Sequence, residues 1–126
     1  MDSRIPLEVI GEATYSKAYP GATVNVEIPV HRHIDRHCSL LFSRYMFDSN
    51  RSYRDLMATR FLSHEGWKNV EAINPGMIRY AVEFPEKMPL GEADVITQNS
   101  FMCNPLQYIW PVDFDIHTKI MVGEKP

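Results

Sequence analysis

The stretch Thr23-Val24-Asn25-Val26-Glu27-Ile28-Pro29-Val30 decides the fold. Its even positions are all branched and apolar, while Thr23, Asn25 and Glu27 stand on the odd ones. A strand turns successive side chains to opposite faces, so this segment has one face in a core and the other in water. Working outward, the same alternation returns twice. Ile78, Tyr80, Val82 and Phe84 alternate with Arg79, Ala81 and Glu83. Tyr108, Trp110, Val112, Phe114 and Ile116 share one parity, continued by Ile120 and Val122, against Asp113, Asp115, His117 and Lys119. Ile5, Leu7 and Val9 give a shorter strand, and residues 93–103 a further one. The run from Cys38 to Phe47 is apolar on both parities, as a central strand should be.

Pro20-Gly21, Asn74-Pro75-Gly76 and Pro89-Leu90-Gly91 supply turn chemistry between these runs. One segment breaks the period. Tyr53, Leu56, Met57, Phe61 and His64 fall at three- and four-residue spacings, with Ser52 and Asp55 placed as a capping signal and Gly66 as a stop. This predicts one short crossing helix around 52–65. The expected fold is an all-β, mainly antiparallel β-sandwich of six to seven strands, Ig-like or jelly-roll-like, as a single domain over 1–126.

The chain has 126 residues, 44% hydrophobic and 23% charged, which is ordinary globular composition and long enough for one core. Its formal net charge of −3 argues against general nucleic-acid binding, which needs a positive field. No run approaches the length of a membrane-spanning helix. No basic start followed by an apolar run is visible, so the expected compartment is the cytoplasm, or the periplasm or exterior if this is a mature chain. Cys38 and Cys103 lie in separate strand-like runs. Facing strands could join them as a disulfide in an oxidising compartment, but the simpler expectation is two separate buried thiols.

Arginine concentrates in the middle third: Arg32, Arg36, Arg44, Arg51, Arg54 and Arg60 stand against Asp35, Asp48 and Asp55. Its planar fork suits interfaces and acidic partners. The competing expectation is internal pairing, such as Arg51 with Asp55 along a helix. Trp67, followed by Lys68 and Asn69, is the tryptophan placed for exposure. Arg32, Arg36, Arg51, Arg54 and Trp67 are therefore the candidate partner-binding residues. No nucleophile elbow, phosphate loop or dinucleotide fingerprint occurs. The expected function is a non-enzymatic protein-interaction module, as a bacterial envelope component or an immunity-type protein that occludes its partner. That partner is another protein with an acidic surface, or a second copy in a homodimer, and no cofactor is expected.

The alternative rests on His31, His33 and His37 within Pro29-Val30-His31-Arg32-His33-Ile34-Asp35-Arg36-His37. His-x-His-x-x-x-His resembles the first cupin motif, with His37 where that family usually has Glu and Asp94 where its second motif has His. The resemblance implies a divalent transition metal held by these three imidazoles inside a barrel, in a metal-binding protein or metalloenzyme. Parity opposes it: if the strand continues, His31 and His33 join Asn25 and Glu27 on the wet face.

Overall fold

A computed structural model describes residues 7–32, 38–63, 65, 76–103 and 112–126. Eight strands run through them: β1 Leu7–Val9, β2 Thr14–Tyr15, β3 Thr23–Arg32, β4 Ser39–Phe47, β5 Tyr53–Leu62, β6 Met77–Glu83, β7 Gly91–Met102 and β8 Val112–Val122. They form two antiparallel sheets. In the first, β3 is central, with β1 and β2 along one side and β6 along the other. The second has the order β5-β4-β7-β8. The sheets pack face to face as a sandwich, and the parity read from the sequence sets what lies between them. Val24, Val26, Ile28 and Val30 of β3 are buried, as are Ile78 and Val82 of β6. Leu40 and Met46 of β4, Val95 and Phe101 of β7, and Ile116 and Ile120 of β8 complete the shared core.

Three contacts fix how the sheets overlap. The Met121 amide donates to Tyr15 Oη at 3.1 Å, and the Gly123 amide to the Ala18 carbonyl at 3.0 Å, so the β2 side lies over β8. Arg44 of β4 stacks on Tyr80 of β6, so the β6 side lies over β4. Strand β5 therefore extends past the last strand of the first sheet. The turn before β3 is glycine-dependent: the Ala22 amide donates to the Tyr19 carbonyl at 3.0 Å while Gly21 takes φ 84°, the type II arrangement. A side chain at Gly21 would also meet the Glu86 carboxylate at 2.8 Å.

Three expectations need correction. The helix around 52–65 is not seen; residues 53–62 are strand β5. The polar cluster before it is a hairpin turn, not a helix cap. Asp48 Oδ1 accepts from the Asn50 amide at 2.9 Å and the Ser52 amide at 3.0 Å, and Arg51 takes a left-handed φ of 65°. The helical spacing has a specific cause. The pairing of β5 with β4 passes from Tyr45↔Asp55 to Arg44↔Met57 and then to Phe42↔Arg60, so β5 carries an extra residue at each step. Each bulge shifts parity by one, so the strand keeps no steady alternation, and Tyr53 and Phe61 from the outer face fall at helix-like spacings with Met57 from the core side. Second, Cys38 and Cys103 are not separate thiols but a disulfide. Ser39 pairs with Met102, and the ladder thereby carries the two cysteines side by side. Third, eight strands among the described residues exceed the expected six to seven, because β5 takes the place of the helix and the two-residue β2 is too short to leave a periodic signature.

Candidate interaction surface

The flank formed by β5 and its hairpin brings exposed aromatic and basic side chains together. Residues paired across an antiparallel ladder share a face. Phe47 pairs with Tyr53 and Tyr45 with Asp55, on the side away from the core. The three rings form a cluster: Tyr45 and Tyr53 centroids are 5.4 Å apart, Phe47 and Tyr53 5.7 Å, and Tyr45 and Phe47 5.8 Å. These are stacking and edge-to-face separations. Tyr53 nevertheless remains 57% exposed. Its hydroxyl donates a short hydrogen bond to Asp55, and holding that proton against the carboxylate raises the phenol above its ordinary value. The Arg51 guanidinium lies 5.9 Å from the Phe47 ring centroid and extends the cluster around the hairpin. Next to the rings an open depression of about 590 Å³ is lined by Tyr45, Tyr53, Asp55, Thr59 and Gln98. A second, of about 250 Å³, shares Ser43, Thr59 and Gln98 with it and continues to Ser100, Asp113 and Asp115.

The other face of the flank is basic. Met46 pairs with Arg54, Arg44 with Met57 and Phe42 with Arg60, so Arg44, Arg54 and Arg60 point to the side on which the core lies. Past β6 there is no strand of the first sheet above β5 among the described residues, and Arg54 and Arg60 are exposed. Neither is paired with a carboxylate among the described residues, and Arg51 does not pair with Asp55. Asp55 faces the opposite side and is engaged by Tyr53. The internal pairing expected for this arginine-rich region is therefore not formed by these residues.

Arg44 is the anchored member. Its Nε donates to Thr97 Oγ1 at 2.9 Å, and its guanidinium sits 3.7 Å above the Tyr80 ring. Burial lowers its pKa from the ordinary arginine value, a tendency that the neighbouring Tyr80 partly opposes. Burial raises the Tyr80 phenol, with smaller opposing contributions from the Thr118 hydroxyl and from Arg44. Although Tyr80 feels the Thr118 hydroxyl, the two oxygens do not meet in hydrogen-bond geometry, and each is buried without a partner among the described residues. A buried hydroxyl with no partner costs folding free energy. Thr118→Val keeps the shape and removes one orphan, and should raise stability by about 1 kcal/mol in urea unfolding; a comparable loss would show that the hydroxyl is satisfied. The raised Tyr80 pKa has a defined sign. The unfolded phenol ionises near its ordinary value of 10, before the folded one does. The contribution of Tyr80 is thus fully present below pH 10 and lost as pH rises through the folded pKa. Tyr80→Phe should unfold less steeply with pH above 10 than the parent, followed by circular dichroism.

Of the residues singled out from sequence, Arg51 and Arg54 lie on this flank. Arg32 ends β3, with its backbone opposite Leu7. Its side chain, and Arg36 and Trp67 altogether, lie outside the described residues, as do His33 and His37. His31 pairs with Glu8 on the outer, exposed side of the first sheet, the wet face that its parity requires. Among the described residues no three of His, Cys, Asp and Glu gather as a metal-ligand set. No helix among them is long and apolar enough to cross a membrane. The sequence reading missed Tyr45 and Phe47, whose two-residue spacing was absorbed into a run apolar on both parities. It also missed that Tyr53 belongs with them, because the ring was placed on a helix. Comparison with models of known protein families and with curated proteins finds no match.

Proposed function

We propose that this chain is a non-enzymatic protein-interaction module that engages its partner through the β5 flank. The observation that carries the reading is the composition of that flank. Exposed Tyr53, with Tyr45 and Phe47 beside it, lies on one face, and Arg54 and Arg60, which pair with no carboxylate among the described residues, lie on the other. Tyrosine and arginine are the residue types in which binding energy concentrates. Unpaired guanidinium groups favour an acidic partner, which they attract from a distance and hold by paired hydrogen bonds. The Cys38–Cys103 disulfide supports a role in an oxidising compartment, which fits an envelope component or an immunity-type protein acting outside the cytoplasm.

The test is complex formation with proteins encoded beside this chain, followed by size-exclusion chromatography and calorimetry. A stoichiometric complex is expected. Tyr53→Ala and Arg54→Glu should each weaken it about 30-fold, or about 2 kcal/mol. Arg54→Glu, at an exposed position, should leave the thermal midpoint in place, and Tyr53→Ala, which also loses its contacts with Tyr45, Phe47 and Asp55, is compared at a temperature where it is fully folded. Parent-like affinity in the double variant would move the binding surface elsewhere. Absence of any complex would count against the module itself.

A further inference from the structure

We propose that the partner binds as an extended acidic segment that adds a strand to the free edge of β5, its carboxylates alternating with apolar side chains. This deepens the reading above and rests on it. Strand β5 is ten residues long and is the last strand of its sheet among the described residues. The backbone groups on its outer side have no ladder partner there, and such an edge accepts an added strand. The two faces beside that edge differ in chemistry. Tyr53 and Phe61, each 57% exposed, pair with Phe47 and Leu41 on the side away from the core. Arg54 and Arg60 stand on the other side, next to the anchored Arg44. An incoming strand also alternates its side chains between the two faces. A segment with carboxylates at every second position would set all of them against the arginines and its apolar residues against the rings.

The same geometry disfavours a second copy as the occupant. Two β5 edges paired antiparallel about a two-fold axis keep their faces in common. Arg54 and Arg60 of both copies would then share one face with no acid among them. The other free edge is no better. Asp113 and Asp115 of β8 project on its exposed, outer side, which would place them beside Asp55 rather than the arginines. The two bulges add selectivity: they interrupt the regular ladder, so backbone pairing alone is a weak attraction and the charges decide which segment is held.

The probe is a ten-residue peptide alternating Glu with Val. The controls are a Lys–Val alternating peptide and a block peptide with five Glu followed by five Val. The Glu–Val peptide should bind at least tenfold tighter than either control and perturb the backbone amides of residues 53–62. Its affinity should fall as salt is raised. In the double variant Arg54→Glu/Arg60→Glu, whose substitutions are on exposed positions, the preference should reverse toward the Lys–Val peptide. Equal binding of alternating and block peptides, perturbation confined to β8, or an unchanged preference in the double variant would overturn strand addition. The two proposals fail separately. If the flank variants still disrupt the protein complex while no peptide binds, the interaction surface stands and the strand-addition mode falls.

Discussion

The double variant Cys38→Ala/Cys103→Ala should lose about 4 kcal/mol of stability. The bridge joins residues separated by 65 positions, and closing a loop of that size removes a large share of the entropy of the unfolded chain. On the chain-entropy argument this alone gives roughly 4 kcal/mol at 25 °C. The folded state should change little, because the β4–β7 ladder is closed beside the bridge by Ser39 and Met102. The variant should keep its far-ultraviolet spectrum and lose its urea midpoint. Since a domain of this size holds about 5–15 kcal/mol in total, the loss is a large fraction of what is available. A decrease below about 1 kcal/mol would mean that the reduced unfolded chain is already compact, and would remove the entropic account.

Phe101→Ala should cost about 3–5 kcal/mol. Phe101 has no exposed surface and is the largest fully buried side chain among the described residues. It lies on β7, between β4 and β8, on the side that meets the first sheet. Truncation removes its transfer free energy and leaves a cavity that strands on both sides cannot close without breaking their ladders. Equilibrium unfolding measures the cost. A value below 2 kcal/mol would show that the two sheets can collapse onto the gap. Because Phe101 lies two positions from Cys103, its effect and that of the disulfide variant should not simply add.

The contrast between legible and illegible elements follows one physical line. Strands β3 and β6 and the second half of β8 could be read directly, because each has one face in the core and keeps strict parity from end to end. Residues 38–47 were legible as a central strand for the opposite reason, since none of the side chains of β4 is exposed on either face and both of its edges are paired, with β5 and β7. Strand β5 was misread because its two bulges change which parity faces inward. A pattern defined by spacing cannot tell that interruption from a helical turn. The surface went with it. Tyr53 belongs with Tyr45 and Phe47 only if residues 48–52 form a hairpin, and Arg54 and Arg60 share a face with Arg44 only through that bulged pairing.

Alternation is a property of neighbours along the chain, and for that reason the amino-acid order alone determined that this protein folds as paired β layers with His31 on the wet side of its strand. Which strand lies beside which is a property of the whole chain. The tertiary structure alone decided that Cys38 meets Cys103, that Arg44 is seated over Tyr80 and that β5 stands at the edge. Those outcomes depend on register and on the overlap of two sheets, which bring together residues too far apart in sequence for any local period to relate them.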